Sequence, residues 1–237
     1  MLFFRKKYSI AESGLLKGIT DNHSHILPGV DDGADSLEKS LSIMSYLEGE
    51  GISELWLTPH IMEDVPNTSE ALKERYDSFR KDYTGPIRLH LAAEYMIDTL
   101  YEERLEAHDI LTHGEDVVLL ETSANTPPVN LWDIVERTMR EGYRPIMAHP
   151  ERYCYMSPND YKRLKEMGCL FQLNLPSIAG AYGEHVQRRA EDILAKGMYD
   201  MAGSDCHRLS FTEHYYRAAV LKSKTIAQLK ELAAKVQ

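Results

Sequence analysis

Short apolar runs alternate along the chain with longer stretches in which hydrophobic and polar positions recur at helical spacing. The apolar runs fall at residues 18–23, 54–58, 87–94, 117–121, 145–149, 169–174 and 200–204. The amphipathic stretches fall at residues 36–50, 69–82, 131–141, 158–167, 184–196 and 225–235. A strand followed by a helix, repeated about seven times, predicts parallel strands with crossover helices, hence an α/β barrel or a doubly wound sheet.

Capping residues precede two of the predicted helices. Ser36 stands before a turn rich in Glu and Lys, and Thr68 stands before Ser69-Glu70, which adds an early acid. Both are residue types that favour helix N-termini. The alternation of strand and helix is weakest between residues 95 and 116. In this longer connecting segment, residues 101–110 predict a short helix.

Composition and charge restrict the class of protein. The chain has 237 residues, 43% of them hydrophobic, and a formal net charge of −10. We expect one domain over residues 1–237, with residues 1–16 as an N-terminal extension, because α/β barrels commonly fill this length. The acidic balance argues against nucleic-acid binding, which needs a basic surface. The acidic balance does not exclude a phosphorylated substrate, since bound cations can reverse the charge of a site.

Targeting signals and disulfides are not expected. The apolar run at the start of the chain is too short for a signal peptide, and no later run approaches the roughly 18 apolar residues of a membrane helix. The three cysteines, Cys154, Cys169 and Cys206, are an odd number in a chain that can fold without crosslinks. We therefore expect a cytoplasmic protein with reduced thiols and no membrane insertion.

Histidines and acids follow the predicted strands at the points where the strands end. Six of the seven runs finish with such a residue, namely His23 and His25, His60, Glu94, Glu121, His149, and Asp205 with His207. In an α/β barrel these ends meet on one face, where active sites are built. Two histidines in a His-x-His pair on a strand share a face, because side chains alternate with a period of two.

Metal binding is the interpretation that this joint pattern favours. A single strand-end histidine is more often a structural hydrogen-bonding residue, but unpaired buried acids and imidazoles at this density would be costly. Mixed imidazole and carboxylate ligands suit Zn, Mn or Fe, whereas oxygen ligands alone would indicate Mg or Ca. The five remaining histidines are predicted to be structural or surface residues: His90, His108, His113, His185 and His214.

With these residues in view, the chain resembles the polymerase and histidinol phosphatase (PHP) superfamily. More closely, it resembles the bacterial capsule and exopolysaccharide tyrosine-protein phosphatases of that superfamily. The motifs are His23-Ser24-His25 with Val30-Asp31-Asp32-Gly33, Thr58-Pro59-His60, Glu94-Tyr95, Leu120-Glu121, Ala148-His149-Pro150-Glu151-Arg152-Tyr153 and Gly203-Ser204-Asp205-Cys206-His207. They extend from about residue 19 to 208, and their combination is more specific than any one of them.

The resemblance implies a distorted seven-stranded (β/α)7 barrel of the PHP type with two or three divalent metal ions, Mn first, with Fe, Zn or Mg as alternatives. One metal would be held by four residues, His23, His25, Glu94 and Asp205. Glu94 would bridge to a second metal, also held by Glu121 and His149. A third metal would be held by Asp32, His60 and His207, and Asp31 is the less favoured ligand of the acidic pair.

The resemblance also implies hydrolysis of phosphotyrosine on an autokinase of exopolysaccharide or capsule assembly, and our mechanistic hypothesis is attack by a metal-bound hydroxide. Arg152 and Arg208 are candidates to hold the phosphate, because a guanidinium offers paired donors. The related phosphatases usually carry a second arginine near the position that Thr212 occupies here.

Alternative functions differ in the residues that they need. A small-molecule phosphatase, such as a histidinol-phosphate phosphatase, usually has His at the positions of Asp32 and Glu121. A cysteine-dependent phosphatase needs an arginine six residues after its cysteine, and none of the three cysteines has one. An exonuclease fits poorly with the acidic balance. A catalytically silent binding module fits poorly with a complete ligand set.

Overall fold

The computed structural model describes residues 6–236, in which parallel strands alternate with helices. The strands are β1 Thr20–Asp21, β2 Glu54–Leu57, β3 His60–Ile61, β4 Arg88–Leu91, β5 Glu94–Met96, β6 Val117–Glu121, β7 Arg144–Ala148, β8 Leu170–Asn174 and β9 Met201–Gly203. The helices are α1 Leu37–Glu50, α2 Ser69–Asp82, α3 Thr99–Glu106, α4 Leu131–Arg140, α5 Pro158–Met167, α6 Leu175–Ile178, α7 Gly183–Ala195, α8 Leu209–Arg217 and α9 Ser223–Ala233. Two 3₁₀ turns cover Pro150–Arg152 and Ala234–Val236.

The predicted elements are confirmed in type, and the main differences lie where strands are interrupted. The second predicted run ends at Leu57, and the chain re-enters the sheet at His60 after Pro59, which has no N–H to donate to a ladder. The predicted run 87–94 is divided into β4 and β5. Helices α6 and α8 were not predicted, and the N-cap residue of α8, Arg208, makes no side-chain capping bond.

All strand pairs are parallel, and they form a curled sheet. One set runs in the order β1-β2-β4 and the other in the order β3-β5-β6-β7-β8-β9. Backbone hydrogen bonds connect the end of β1 with the end of β9, from Asn22 N to Ala202 O at 3.3 Å and from Asp205 N to His23 O at 2.9 Å. The carboxyl ends of the first and last strands therefore lie side by side.

Strand β6 shows how the sheet divides two apolar layers. Val118 and Leu120 belong to the main core between the sheet and the helices. Val117 and Leu119 belong to a smaller cluster on the inner face, with Ile146, Ala148 and Met201. Because side chains alternate along a strand, a continuous apolar run fills both layers, as parallel sheets require. The small inner cluster lies under the ends of the strands.

Both predicted capping residues are N-caps. The side chain of Ser36 accepts a hydrogen bond from Lys39 N, and that of Thr68 accepts one from Ala71 N. Such a bond satisfies one of the unpaired donors in the first helical turn and contributes about 1 kcal/mol.

The described part of the N-terminal extension packs against the C-terminal region. Tyr8 forms an antiparallel bridge with Leu221, and Ala11 N donates to Tyr216 O at 2.9 Å. The first five residues of the predicted extension lie outside the described residues. Within residues 6–236, no helix is long and apolar enough to cross a membrane.

Candidate metal centre

The nine residues predicted as metal ligands lie together at the carboxyl ends of the strands. All of them except His149 belong to groups whose nitrogen and oxygen atoms lie within 4.8 Å of one another. The groups are His23, His25, Glu94 and Asp205; His25, Asp32, His60 and His207; and His60, Glu94 and Glu121. His149 lies against the third group. The fold therefore gathers residues separated by more than 180 positions in the sequence.

The first group is the most buried. The Nε2 atoms of His23 and His25 lie 3.2 and 3.3 Å from Glu94 Oε2. The same nitrogens lie 3.4 and 3.5 Å from Asp205 Oδ1. All four side chains are almost inaccessible to water. Two imidazoles and two carboxylates that converge on one point supply the four ligands that suit Zn, Mn or Fe.

The hydrogen bonds of the two imidazoles determine which nitrogen carries the proton. His25 Nδ1 donates to Asp31 Oδ2 at 2.8 Å, because a carboxylate can only accept. His23 Nδ1 contacts Gln172 Oε1 at 2.6 Å, and the other amide atom, Nε2, donates to Asn22 O, so the oxygen faces the ring. Burial lowers the pKa of both histidines, but nearby carboxylates, Glu94 for His23 and Asp31 for His25, raise it above the usual value, so without a metal the rings favour protonation. When both rings are neutral, as metal ligands must be, their Nε2 atoms present lone pairs 3.0 Å apart. A cation between them would remove this repulsion.

Glu94 occupies the centre of the cluster. Its Oε2 lies 3.2 Å from His60 Nδ1 as well as next to the first two imidazoles, and its Oε1 lies 3.3 Å from His149 Nε2. Neither oxygen makes a hydrogen bond within residues 6–236, although both are buried. Burial alone would raise the pKa of Glu94, but His23 and the other imidazoles hold it well below its usual value. A buried carboxylate without hydrogen bonds fits a bridging metal ligand.

Glu121 and His149 lie where a second cation would contact Glu94. His149 Nε2 is 3.3 Å from Glu94 Oε1 and 3.4 Å from Glu121 Oε1. His60 Nδ1 also approaches Glu121 Oε2, at 3.8 Å, and the third metal-capable group contains His60 where the resemblance implied His149. Burial and the nearby charge of Glu94 raise the pKa of Glu121 well above its usual value. A cation between the two carboxylates would offset their repulsion.

The third predicted set lies at the open rim. Asp32 Oδ1 is 3.3 Å from His207 Nε2 and 3.7 Å from His60 Nε2, and the Asp32 side chain is 70% exposed. The ring of His25 stacks on that of His207 with centroids 3.9 Å apart. His60 directs one nitrogen toward Asp32 and the other toward Glu94. Because a neutral imidazole has one lone pair, it can ligate a metal in only one of these groups.

The backbone is unusual at two of the predicted ligands. His149 has φ 34° and Asp205 has φ 51°, in the left-handed region that residues other than glycine rarely adopt. Such conformations cost about 1 to 3 kcal/mol and concentrate at functional sites.

Glycine is required at two positions that pack against His23 and His25. A β-carbon at Gly33 would overlap the carbonyl oxygen of His25, and one at Gly203 would overlap His23.

Three polar residues support the ligands from behind. Asp31 accepts hydrogen bonds from Gly33 N and His60 N at 3.0 and 3.1 Å, in addition to that from His25. Gln172 and Asn174 come from β8, the one predicted strand without a metal-capable end, and Asn174 Nδ2 donates to Asp205 Oδ2 at 2.7 Å. Sequence reasoning missed both amides. Their alternate positions on a strand were the available signal.

The two candidate arginines lie at the same end of the sheet in different environments. Arg152 Nη1 donates to Asp205 Oδ2 at 2.9 Å, and its guanidinium packs over the ring of Tyr182. Arg208 is exposed and lines a cleft of about 610 Å³ beside Asp32. Thr212 is buried, so its side chain does not face this cleft.

Thiol chemistry has no support in this site. Cys206 is fully buried, and burial raises the pKa of its thiol to about 12. A nucleophilic cysteine needs a lowered pKa and access to the substrate. None of the five histidines predicted to be structural belongs to the metal-capable groups of the described residues.

Comparisons with known proteins agree with this geometry. The chain is 28% identical over 214 residues to the tyrosine-protein phosphatase CpsB of Streptococcus pneumoniae, covering 84% of this chain and 87% of the relative. It is 25% identical over 207 residues to the tyrosine-protein phosphatase YwqE of Bacillus subtilis, covering 84% and 82%.

Two solved structures have the same fold. A chain from the crystal structures of YwqE from Bacillus subtilis and CpsB from Streptococcus pneumoniae, described as metal-dependent tyrosine phosphatases, superposes with a TM-score of 0.80 at 23% identity over 92% of each chain. Histidinol phosphate phosphatase of Lactococcus lactis, in complex with zinc, L-histidinol and phosphate, gives 0.53 at 14% identity, covering 89% of this chain and 93% of that one.

The family model for capsular polysaccharide synthesis, CpsB/CapC, matches residues 19–225, which contain every predicted ligand. The resemblance to the bacterial capsule and exopolysaccharide phosphatases inferred from the motifs is thereby confirmed, and this chain belongs to the CpsB/CapC family.

Proposed function

We propose that the protein is a metal-dependent protein-tyrosine phosphatase. The observation that carries this proposal is the convergence of His23 and His25, whose Nε2 atoms lie 3.0 Å apart, on a buried Glu94 that has no hydrogen bond among the described residues. Such an arrangement is stable only when positive charge lies between the groups. The names of the CpsB and YwqE relatives support tyrosine phosphatase as the activity.

The ligand assignment is part of the proposal. A first cation is held by His23, His25, Glu94 and Asp205, and a second by Glu94, Glu121 and His149. A third is held at the rim by Asp32, His60 and His207. Manganese is the first choice of metal, with iron or zinc as alternatives, because the ligands mix nitrogen and oxygen. Magnesium, which prefers oxygen ligands, is the remaining alternative.

The residues of the chain prepare this centre for a phosphate. When bound, divalent cations would neutralise phosphate charge and lower the pKa of water to about 7. Asp31 and Gln172 keep the imidazole protons on Nδ1, so that both Nε2 atoms remain free to ligate. Asp205 orients the guanidinium of Arg152, whose other donors are available to a phosphate oxygen. Arg208 approaches the same region from the exposed rim.

The proposed substrate is a phosphotyrosine on an autokinase of exopolysaccharide or capsule assembly. The family description, capsular polysaccharide synthesis, and the names of the relatives support this partner. Histidinol phosphate is not favoured, because Asp32 and Glu121 stand where phosphatases of that class usually have histidine.

We further propose that residues 1–237 make one domain around a seven-stranded barrel of the PHP type. Backbone hydrogen bonds continue across both strand interruptions, from Ala92 N to Leu57 O at 2.9 Å and from Glu94 N to Pro59 O at 3.1 Å. The segments β2 with β3, and β4 with β5, then count as two kinked strands. This gives seven strands, closed between β1 and β9.

Metal analysis of the purified protein, combined with turnover of p-nitrophenyl phosphate before and after chelation, tests the proposed activity. We expect bound divalent metal and turnover that chelation abolishes and metal restores. His25→Ala and Asp205→Ala should each lower the rate by several orders of magnitude, because each removes a ligand of the most buried group. Cys154→Ser, at an exposed thiol, is the control and should retain turnover. A protein without metal whose turnover is insensitive to chelation would contradict the proposal.

The substrate is tested by comparing a phosphotyrosine peptide with histidinol phosphate as competing substrates. We expect a higher kcat/KM for the peptide. A preference for histidinol phosphate would leave the metal centre in place and overturn the assignment as a protein phosphatase.

A further inference from the structure

A second cleft opens beside the metal-capable cluster. Unlike the cleft described above, it is not lined by Lys39. Its volume is about 650 Å³. Its floor includes residues of two metal-capable groups, Asp32, Asp205 and His207. A ligand held at the floor would therefore extend its remaining atoms into this space.

One wall of this cleft is aromatic. Tyr182 precedes α7, and its ring lies 6.0 Å from that of Phe211 in α8. The ring of Phe211 lies 4.9 Å from that of Tyr215, one helical turn later. These separations are typical of interacting aromatic pairs, which prefer tilted or offset rings. Tyr182 is 37% exposed and Phe211 is partly exposed, so the wall has a free face.

Arg152 joins this wall to the metal-capable floor. Its guanidinium carbon lies 4.6 Å from the centre of the Tyr182 ring, and its Nη1 donates to Asp205 Oδ2. A phosphate at the floor that accepts from this guanidinium would have its ester oxygen within reach of the wall. The group on the other side of that oxygen would then meet aromatic carbon.

We propose that the wall formed by Tyr182, Phe211 and Tyr215, which we call the aromatic wall, binds the aryl ring of an aryl phosphate monoester. This inference rests on the proposed phosphatase function. It adds the residues that recognise the group esterified to the phosphate. A flat ring can pack against the tilted rings, whereas the single methylene of a phosphoserine is too small to replace that contact. Recognition of the ring explains how a metal centre that holds only phosphate distinguishes tyrosine from serine esters.

The test compares a phosphotyrosine peptide with the same peptide carrying phosphoserine. The variants are Phe211→Leu and Tyr182→Leu, which remove a ring and keep an apolar side chain. We expect the ratio of kcat/KM for the two peptides to fall by roughly 3- to 10-fold in each variant. Comparing this ratio between variant and wild type cancels the intrinsic difference in reactivity between the two esters. It also cancels any effect on Arg152 that changes the turnover of both peptides equally.

Two further variants serve as controls. Tyr182→Phe keeps the ring and should retain the wild-type ratio. Tyr143→Leu makes the same change before β7, at the opposite end of the sheet, and should also retain it. Retained metal content and thermal unfolding temperature show that each variant is folded.

A binding measurement checks the same point without turnover. A peptide with a non-hydrolysable phosphonate analogue of phosphotyrosine should bind Phe211→Leu with a Kd raised by roughly 3- to 10-fold. An unchanged ratio and an unchanged Kd in both leucine variants would overturn the aromatic wall. Failure of the wild-type protein to hydrolyse either peptide would instead overturn the proposed function.

Discussion

Asp31 acts on the metal-capable cluster through His25 and not as a member of the group around Asp205. Its carboxylate accepts the Nδ1 proton of His25 and two backbone N–H groups, one of them from His60. Such partners orient a ligand and make it more basic, and their loss typically lowers metal affinity by about 10- to 100-fold. At the scale of a residue, this explains why one acid of the Asp31-Asp32 pair is buried while the other is exposed.

Asp31→Ala should therefore weaken metal binding by roughly 10- to 100-fold, and excess metal should restore much of the turnover. The measurement is activity as a function of added Mn²⁺ after chelation. Asp35→Ala is the matched control, because Asp35 is exposed, forms an ion pair with the exposed Lys39, and belongs to none of the metal-capable groups of the described residues. Equal metal dependence of the two variants would show that Asp31 does not support the centre.

Cys206 provides a second prediction at this scale. The residue stands between two proposed ligands, but burial raises the pKa of its thiol to about 12, which leaves it protonated at neutral pH. Cys206→Ser should retain most of the turnover, and iodoacetamide should not inactivate the wild-type protein. A variant that keeps its metal and loses turnover would indicate thiol chemistry.

The residues of the site could be predicted to different extents. The nine proposed ligands follow apolar runs directly, so their position at strand ends was visible in the sequence. Gln172 and Asn174 share one face of a predicted strand, but an amide in a strand does not indicate a supporting role until its partner is known. That partner lies about 150 residues away for Gln172. The presence of His60 instead of His149 in the third metal-capable group also depends on side-chain geometry alone.

At the scale of elements, the loop between α3 and β6 contains a histidine whose pKa is lowered. The ring of His113 stacks on Trp56 of β2 with centroids 3.7 Å apart. Burial and the nearby His90 lower the pKa of His113 from 6.5 to about 3. The unfolded chain therefore binds a proton below pH 6.5 that the folded protein does not bind. This term destabilises the fold as the pH decreases toward 3 and is absent above pH 6.5.

His113→Gln should remove this acid sensitivity. Between pH 7 and pH 5 the wild-type protein should lose about 1 to 2 kcal/mol more unfolding free energy than the variant. Urea unfolding at the two pH values measures the difference. His108→Gln, at an exposed surface position, controls for the loss of an imidazole. The same pH dependence in the wild-type protein and His113→Gln would contradict the prediction.

Elements were predicted best where hydrophobic spacing and capping residues agreed. Helix α2 matches its predicted range, with Thr68 as its N-cap, and β6 matches the run 117–121. Helix α8 was missed because its first turn has neither a capping side chain nor an acid. The interruption of β2 and β3 at Pro59 follows from the missing N–H of proline, but the return of the chain to the same sheet does not.

At the scale of the whole molecule, the metal-capable cluster connects strands from both sets of the sheet. Its carboxylates and imidazoles are buried close together, so their repulsion and unsatisfied hydrogen bonding oppose folding when no cation is bound. A ligand that binds only the folded protein stabilises it, by about 2.7 kcal/mol at a concentration of 100 times its Kd. Metal binding and thermal stability are therefore coupled.

Chelation should lower the Tm by about 5 to 10 °C, since 1 kcal/mol corresponds to roughly 2 to 4 °C in a chain of this size. Differential scanning calorimetry with and without chelator, and after addition of Mn²⁺, measures the shift. The shift should be much smaller in His25→Ala, which lacks a ligand of the first group. A Tm that does not respond to chelation in the wild-type protein would contradict the coupling.

The sequence by itself determined the class of the fold, the strand-end location of the histidines and acids, and the family, because these depend on local periodicity and on motifs that lie in order along the chain. Only the tertiary structure decided which nitrogen of each imidazole is free, which amides and acids support the ligands, and which aromatic residues stand beside them. Those properties arise from contacts between residues far apart in the chain, and sequence spacing carries no information about such distances.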